Sequence, residues 1–200
     1  MSKSLDQFKK NLNSIEIVDG IYLYFESNVK AMDVSEILRA QYVMLVSAFD
    51  YYIHDIVREG MLEIFDGKKK SNRNYEQFLI SLKALQLILA TKDKNLRNQI
   101  IDNEIRKITC KQSFQGPSNV ERALSLISIK SIWQSLSHKL KIPKDDLIKK
   151  LGLIVNRRNK IAHEADIDPI TLSKTPIDRT TLIDVKLFII SVVDAIDTKL

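Results

Sequence analysis

The sequence predicts an all-α protein, and three observations carry that prediction. Apolar residues recur at spacings of three and four along most of the chain, and no strand-like alternation persists beyond a few residues. Glycine and proline are scarce, 5 and 4 in 200 residues, which argues against the many tight turns of a sandwich or barrel. Hydrophobic residues make up 44% and charged residues 28%, a balance that supports a buried core and excludes a fully disordered chain. The expected architecture is a helical bundle of six or seven helices in a single domain over residues 1–200.

Each helix has its own signal. Leu5, Phe8, Leu12 and Ile15 predict a first helix from about Ser4 to Ile15. Val18 to Ser27, with Gly20 and two tyrosines, reads as an irregular link or a restarting helix. Asp33-Val34-Ser35-Glu36 reads as a capping box that opens a heavily apolar helix to about Phe65, central in the bundle. One stripe of it is polar: Ser47, Asp50, His54 and Arg58 share a face. Gly67 and the lysines 68–70 end it.

Tyr75 to about Ala90 reads as the next helix, with Phe78, Leu79, Leu82, Leu85 and Leu89 as its apolar residues, and Leu96 to about Thr109 as another. Gly116-Pro117-Ser118 is a break and a cap, followed by a helix through Val120, Leu124 and Ile127 to about Ser137, with Trp133 in the core. Ile142-Pro143-Lys144-Asp145 opens a helix carrying Leu147, Leu151, Ile154 and Val155. Its end is expected near Asp166, because Pro169 disfavours helix at Asp168. After a loop to Asp178, the last helix places Leu182, Val185, Ile189, Val192, Val193 and Ile196 on one face.

Composition narrows the chemistry. The single cysteine, Cys110, excludes a disulfide framework and a cysteine-based zinc site, and three histidines (His54, His138, His163) make a multi-histidine metal site improbable. No metal or cofactor is expected, and a reducing, cytoplasmic location is. The formal net charge of +6 is compatible with a polyanionic partner. No apolar run approaches the roughly 20 residues of a membrane helix, and MSKSLDQFKKNL lacks the apolar core of a signal peptide.

The apolar pattern breaks in one place. The stripe Leu147, Leu151, Ile154 continues through Arg158 before reaching Ile161. Asn159 interrupts the neighbouring row after Ile148 and Val155, and His163 lies four residues beyond it on the same face. Arg158 and His163 are five apart, roughly 140° around the axis, yet a long arginine can converge with the imidazole on a shared cleft. An unpaired buried arginine costs several kcal/mol, so an ordinary core is a poor explanation. Three readings stay open: the stripe surfaces and its charges are solvated; Arg158 pairs with a buried carboxylate such as Asp50 or Asp55; or this face lines a cleft or subunit interface that handles an anion.

The segment Ile154-Val155-Asn156-Arg157-Arg158-Asn159-Lys160-Ile161-Ala162-His163-Glu164-Ala165-Asp166 resembles the signature of HEPN domains, all-α domains named from higher eukaryotes and prokaryotes nucleotide-binding. That signature is an arginine, four to six residues, then a histidine, with a polar residue commonly after the arginine. Arg158, Asn159 and His163 match it with four intervening residues. Upstream, SAFDYYIHDIVREGML resembles the long second helix of the HEPN subgroup allied to the RiboL-PSP ribonuclease-like proteins.

The resemblance implies a metal-independent endoribonuclease of toxin–antitoxin or phage-defence systems, acting on RNA as a homodimer whose two motifs face one cleft. An antitoxin or regulatory protein is an expected further partner. Arg158, His163 and Asn159 are then the catalytic set, and the product is a 2′,3′-cyclic phosphate with a 5′-hydroxyl. Arg157 and Lys160, with Lys149 and Lys150, are weaker RNA-contact candidates, equally readable as a solvated basic face. Asp50 and His54 are candidates to line the cleft, against a solvent face or an intra-helix pair. Glu164 and Asp166 are placed to hold Arg157 or cap the helix end. The alternative is a HEPN module that binds RNA, nucleotide or a partner protein and cuts nothing.

Overall fold

In the computed structural model, residues 2–29 and 32–199 are described. They form nine helices: α1 (Lys3–Asn28), α2 (Ser35–Phe65), α3 (Arg73–Glu76), α4 (Leu82–Ala90), α5 (Lys94–Thr109), α6 (Pro117–Ser125), α7 (Ile132–Leu140), α8 (Lys144–His163) and α9 (Arg179–Asp197). The fold is all-α as the sequence predicts, and the sole strand-like feature among the described residues is an isolated bridge between Ile167 and Lys174. The chain separates into two compact units, one of residues up to Tyr52 with Trp133–Lys199, the other of Ile53–Ile132.

The first unit holds α1, the first half of α2, α8, α9 and nearly all of α7. Its interior is built from Phe8 and Ile15 of α1, Leu45, Phe49 and Tyr52 of α2, Trp133 of α7, Leu147 and Leu151 of α8, and Ile189, Val192 and Val193 of α9. Phe8 tilts against Tyr52 with ring centroids 5.8 Å apart. Each such large side chain contributes about 1.5–3 kcal/mol by leaving water.

Helix α1 continues through the segment expected as a link. The buried row Leu5, Phe8, Leu12, Ile15, Tyr22 keeps helical phase past Gly20, so packing outweighs the roughly 1 kcal/mol that a mid-helix glycine costs. At the start of α2, Asp33 Oδ1 accepts from the Ser35 amide at 2.9 Å. The reciprocal half of the capping box is absent, because the Glu36 carboxylate is taken by Arg39 and Lys174 instead.

The second unit holds the rest of α2 and α3 to α6. Gly67, at φ 74°, ends α2 in the left-handed conformation that favours glycine. Two predicted helices are each divided here, which turns the expected seven into nine. The helix expected over 75–90 stops after the single turn α3. The Ser81 amide donates to Glu104 Oε1 at 2.9 Å, and its hydroxyl then caps the new helix α4 on Ala84 N. The helix expected over 117–137 stops at Ser125, where Ser128 (φ 69°) and Ser131 (φ 50°) turn left-handed. Asn72 braces that break, donating to Leu126 O and Ser128 Oγ, both at 2.9 Å. Within this unit Gly60 lets Ile127 in so closely that a Cβ would fall 2.6 Å from its Cγ2. Among the described residues no helix is long and apolar enough to cross a membrane.

Candidate active site

Helix α8 carries the HEPN-like motif on its last two turns. Its buried residues are Leu147, Leu151, Ile154 and Val155. Beyond Val155 burial fades: Arg158, Asn159 and Ile161 are half-buried, and Lys160 and His163 are exposed. The apolar stripe therefore runs out of the core where the motif begins.

Arg158 has no ion pair with a carboxylate of its own unit among the described residues, so the reading in which Asp50 neutralises it does not hold. Its Nη1 donates to Asn159 Oδ1 at 3.2 Å, and its Nε is buried without a hydrogen-bond partner. The Nε of Arg157 is sheltered and unbonded in the same way, so what sets Arg158 apart is the lack of a carboxylate partner among the described residues. Asn159, through this bond, orients the arginine. His163 is the last residue of α8, with its ring open to solvent and unbonded to any described residue.

What holds this helix end is a buried charge cluster. Asp166, fully buried, adopts φ 59°, directly after Ala165 at φ 51°. Its Oδ2 accepts from Arg157 Nη2 at 2.7 Å and from Arg39 Nε at 3.0 Å. The carbonyl of Thr175 accepts from Arg39 Nη2 at 2.7 Å and Arg157 Nη2 at 3.0 Å, and the Thr175 amide returns to Asp166 O at 2.9 Å. Arg39 Nη1 reaches back to Ser35 Oγ at 2.8 Å. One carboxylate thus ties the start of α2, the end of α8 and the loop to α9 together. Nearby, burial pushes the Tyr42 hydroxyl up to about 12, and the Arg157 charge offsets only part of this.

The sequence-predicted residues fall into distinct places. Arg158, Asn159 and His163 share the end of α8. Arg157, expected at an RNA phosphate, has its guanidinium engaged by Asp166, the alternative assignment for that acid. Lys160 and Lys149 project from α8 into solvent, and Lys150 Nζ lies over the Phe188 ring at 4.8 Å. Asp50 is half-buried in the first unit. His54, in the second, stacks on Phe114 with ring centroids 4.2 Å apart, its Nε2 3.2 Å from Gln112 O. Arg58 holds Asp55 at 2.7 Å and Asp102 at 2.9 Å. Sequence reading missed Arg39. Its signal was available: with Tyr42, Val46 and Phe49 it sits on the apolar row of α2, a cation where a core residue belongs.

An all-α fold with a basic and an imidazole side chain at the exposed end of such a braced helix is that of a HEPN-type domain. The RiboL-PSP-HEPN family model matches residues 2–200, and the chain belongs to that family. No curated protein and no solved structure matches it.

Proposed function

We propose that this protein is a metal-independent endoribonuclease whose catalytic groups are Arg158, His163 and Asn159, acting in phage defence or as the toxin of a toxin–antitoxin pair. The observation that carries the reading is Arg158: half-buried, without a carboxylate partner among the described residues, unlike Arg157 beside it, and with an imidazole on the same helix end. A guanidinium in that condition suits a phosphate, which accepts paired N–H donors in a planar fork.

The chemistry follows from what RNA scission needs. A base removes the proton of the 2′-hydroxyl, whose oxygen attacks phosphorus. The bond to the 5′-oxygen breaks, and that oxygen takes a proton from an acid. Histidine is the side chain that changes charge near neutrality, so His163 suits either role. A single imidazole does not serve both in one turnover. A twofold homodimer supplies a second His163, one as base and one as acid, and two Arg158 groups to stabilise the phosphorane oxygens. Asn159 keeps Arg158 aimed. The products are a 2′,3′-cyclic phosphate and a 5′-hydroxyl. A regulatory protein that restrains the nuclease is the partner this role calls for.

The test is incubation of purified protein with defined RNAs, with product ends mapped and His163→Ala and Arg158→Ala run beside it. Cyclic-phosphate ends from the wild type, none from the folded variants, and a dimer in sedimentation are expected. Undiminished cutting by either variant overturns the reading. RNA binding without cutting by the wild type replaces it with a non-catalytic RNA-binding module.

A further inference from the structure

The second unit carries a surface that the nuclease reading does not use. Helix α4 buries only Ala84 and Ile88. On a neighbouring face of the same helix, Leu82, Leu85 and Leu89 follow each other at i, i+3 and i+7, and they are 77%, 40% and 77% exposed. Leu79, 84% exposed, precedes them in the link from α3. Leucines in this register normally face a core. Here they form a ridge about 10 Å long at 1.5 Å per residue, two turns along an uncovered face of the helix. Contiguous exposed apolar clusters mark interaction sites.

The charge around the ridge selects its occupant. Residues 77–92 contain no aspartate or glutamate and two lysines, Lys83 and Lys92, both exposed. Asp93, next to Lys92, is engaged in capping α5 on Leu96 N; Lys94 lies 3.6 Å from Asp66, and Arg97 follows. Residues 53–132 together hold 14 lysines and arginines against 9 acids, net +5 of the chain's +6. A second copy would set this excess against itself, which disfavours self-pairing. A three-leucine ridge with a single row of spacing fits the groove or seam of another helix, the geometry of helix-in-groove recognition. We infer that α4 docks an acidic amphipathic helix of a partner protein, its leucine ridge filling the partner's apolar face and Lys83 and Lys92 meeting the partner's carboxylates. This site stands on α4 and the residues flanking it and is independent of the chemistry proposed for α8.

The probe is a synthetic helical peptide of about 20 residues, leucine at i, i+3, i+4, i+7 spacing and glutamate elsewhere, with a lysine-for-glutamate version as its control. Binding to the full chain is followed by fluorescence anisotropy. The glutamate peptide is expected to bind and the lysine peptide not to. Leu82→Glu with Leu89→Glu is expected to weaken binding at least about tenfold. Lys83→Glu with Lys92→Glu, which keeps every leucine, is expected to weaken it too and to remove its salt dependence. Circular dichroism verifies that both variants stay helical, and the charge variant alone decides the matter should the leucine variant unfold. No binding of the glutamate peptide, or equal binding of the lysine peptide, overturns the inference. So does a wild-type oligomer that the leucine variant dissociates, which would make the ridge a self-interface. Attachment to phosphatidylglycerol vesicles that the glutamate peptide fails to displace would make it a lipid site instead.

Discussion

Arg39 Nε lies 3.0 Å from Asp166 Oδ2, a buried pair between residues 127 positions apart. Asp166 also neutralises Arg157, so its carboxylate answers two guanidinium groups whose side chains are 6% and 23% exposed. Removing the acid leaves Arg157 without a carboxylate and Arg39 with only the exposed Glu36, whereas removing Arg39 leaves the acid still paired. Asp166→Ala is expected to lose about 3–5 kcal/mol and Arg39→Met clearly less. Urea unfolding of the two variants measures this. Equal losses would mean that the carboxylate does not bridge both arginines.

The same residue needs a left-handed backbone, and so does the one before it. Ala165, at φ 51°, pays the steric cost of a Cβ in that region and is exposed, so its methyl group returns little packing. Ala165→Gly relieves the strain and is expected to raise stability by about 0.5–1 kcal/mol, net of the extra freedom glycine has when unfolded. Thermal unfolding tests it. A drop in Tm would show that the turn is held by something the alanine methyl contributes.

The long helices were legible because their burial repeats: α2, α5, α8 and α9 follow apolar rows that a one-dimensional reading detects. The breaks were not. Ser81 ends one helical phase and caps the next because Glu104, 23 residues on, takes its amide. Ser128 turns left-handed where Asn72, 56 residues earlier, accepts the task of bracing it. Partners at that range leave no local mark. For the same reason Leu82 and Leu89 looked like core and stand in solvent: periodicity shows that a face is apolar, not that anything covers it. The motif residues Arg158, Asn159 and His163 were visible as an interruption of a row. Arg39 is the same kind of interruption on α2. Its partner Asp166 lies beyond the end of another helix, and the link between them is a tertiary fact.

A second ion pair ties α1 to α9 and sets an acid limit on stability. Arg179 donates from Nε and Nη2 to the two oxygens of Asp19, at 3.1 and 2.7 Å. These hydrogen bonds hold the Asp19 carboxyl below its usual value of 3.8, against an opposing push from burial. A depressed folded-state pKa gives stabilisation that is complete above about pH 4 and is lost as the pH falls through the folded value. Both groups are partly solvated, so the contribution is at most about 1 kcal/mol. Arg179→Gln is expected to lower stability at pH 7 by that amount, and by less at an acid pH where Asp19 is protonated. A loss of equal size at both pH values would assign the effect to packing of the arginine stem.

Arg157 and Arg158 are adjacent and point about 100° apart, and the structure gives them opposite circumstances. Arg157 is spent on Asp166 and two loop carbonyls. Arg158 has one weak bond to its neighbour and no carboxylate partner among the described residues, while the Nε of both arginines is sheltered and unbonded. Arg157→Ala is therefore expected to cost about 2–3 kcal/mol, by undoing half of a buried cluster, yet to retain cleavage when assayed well below its lowered Tm. Arg158→Ala removes an unsatisfied buried donor and is expected to change stability by less than about 0.5 kcal/mol. Its cleavage of RNA is expected to fall by about 10²–10³, the scale of losing a transition-state donor. Paired thermal and cleavage assays on the two variants separate the roles. If Arg157→Ala abolishes cutting at a temperature where it is fully folded, the phosphate-binding role extends to both arginines, and the Asp166 contact then only orients Arg157 for RNA.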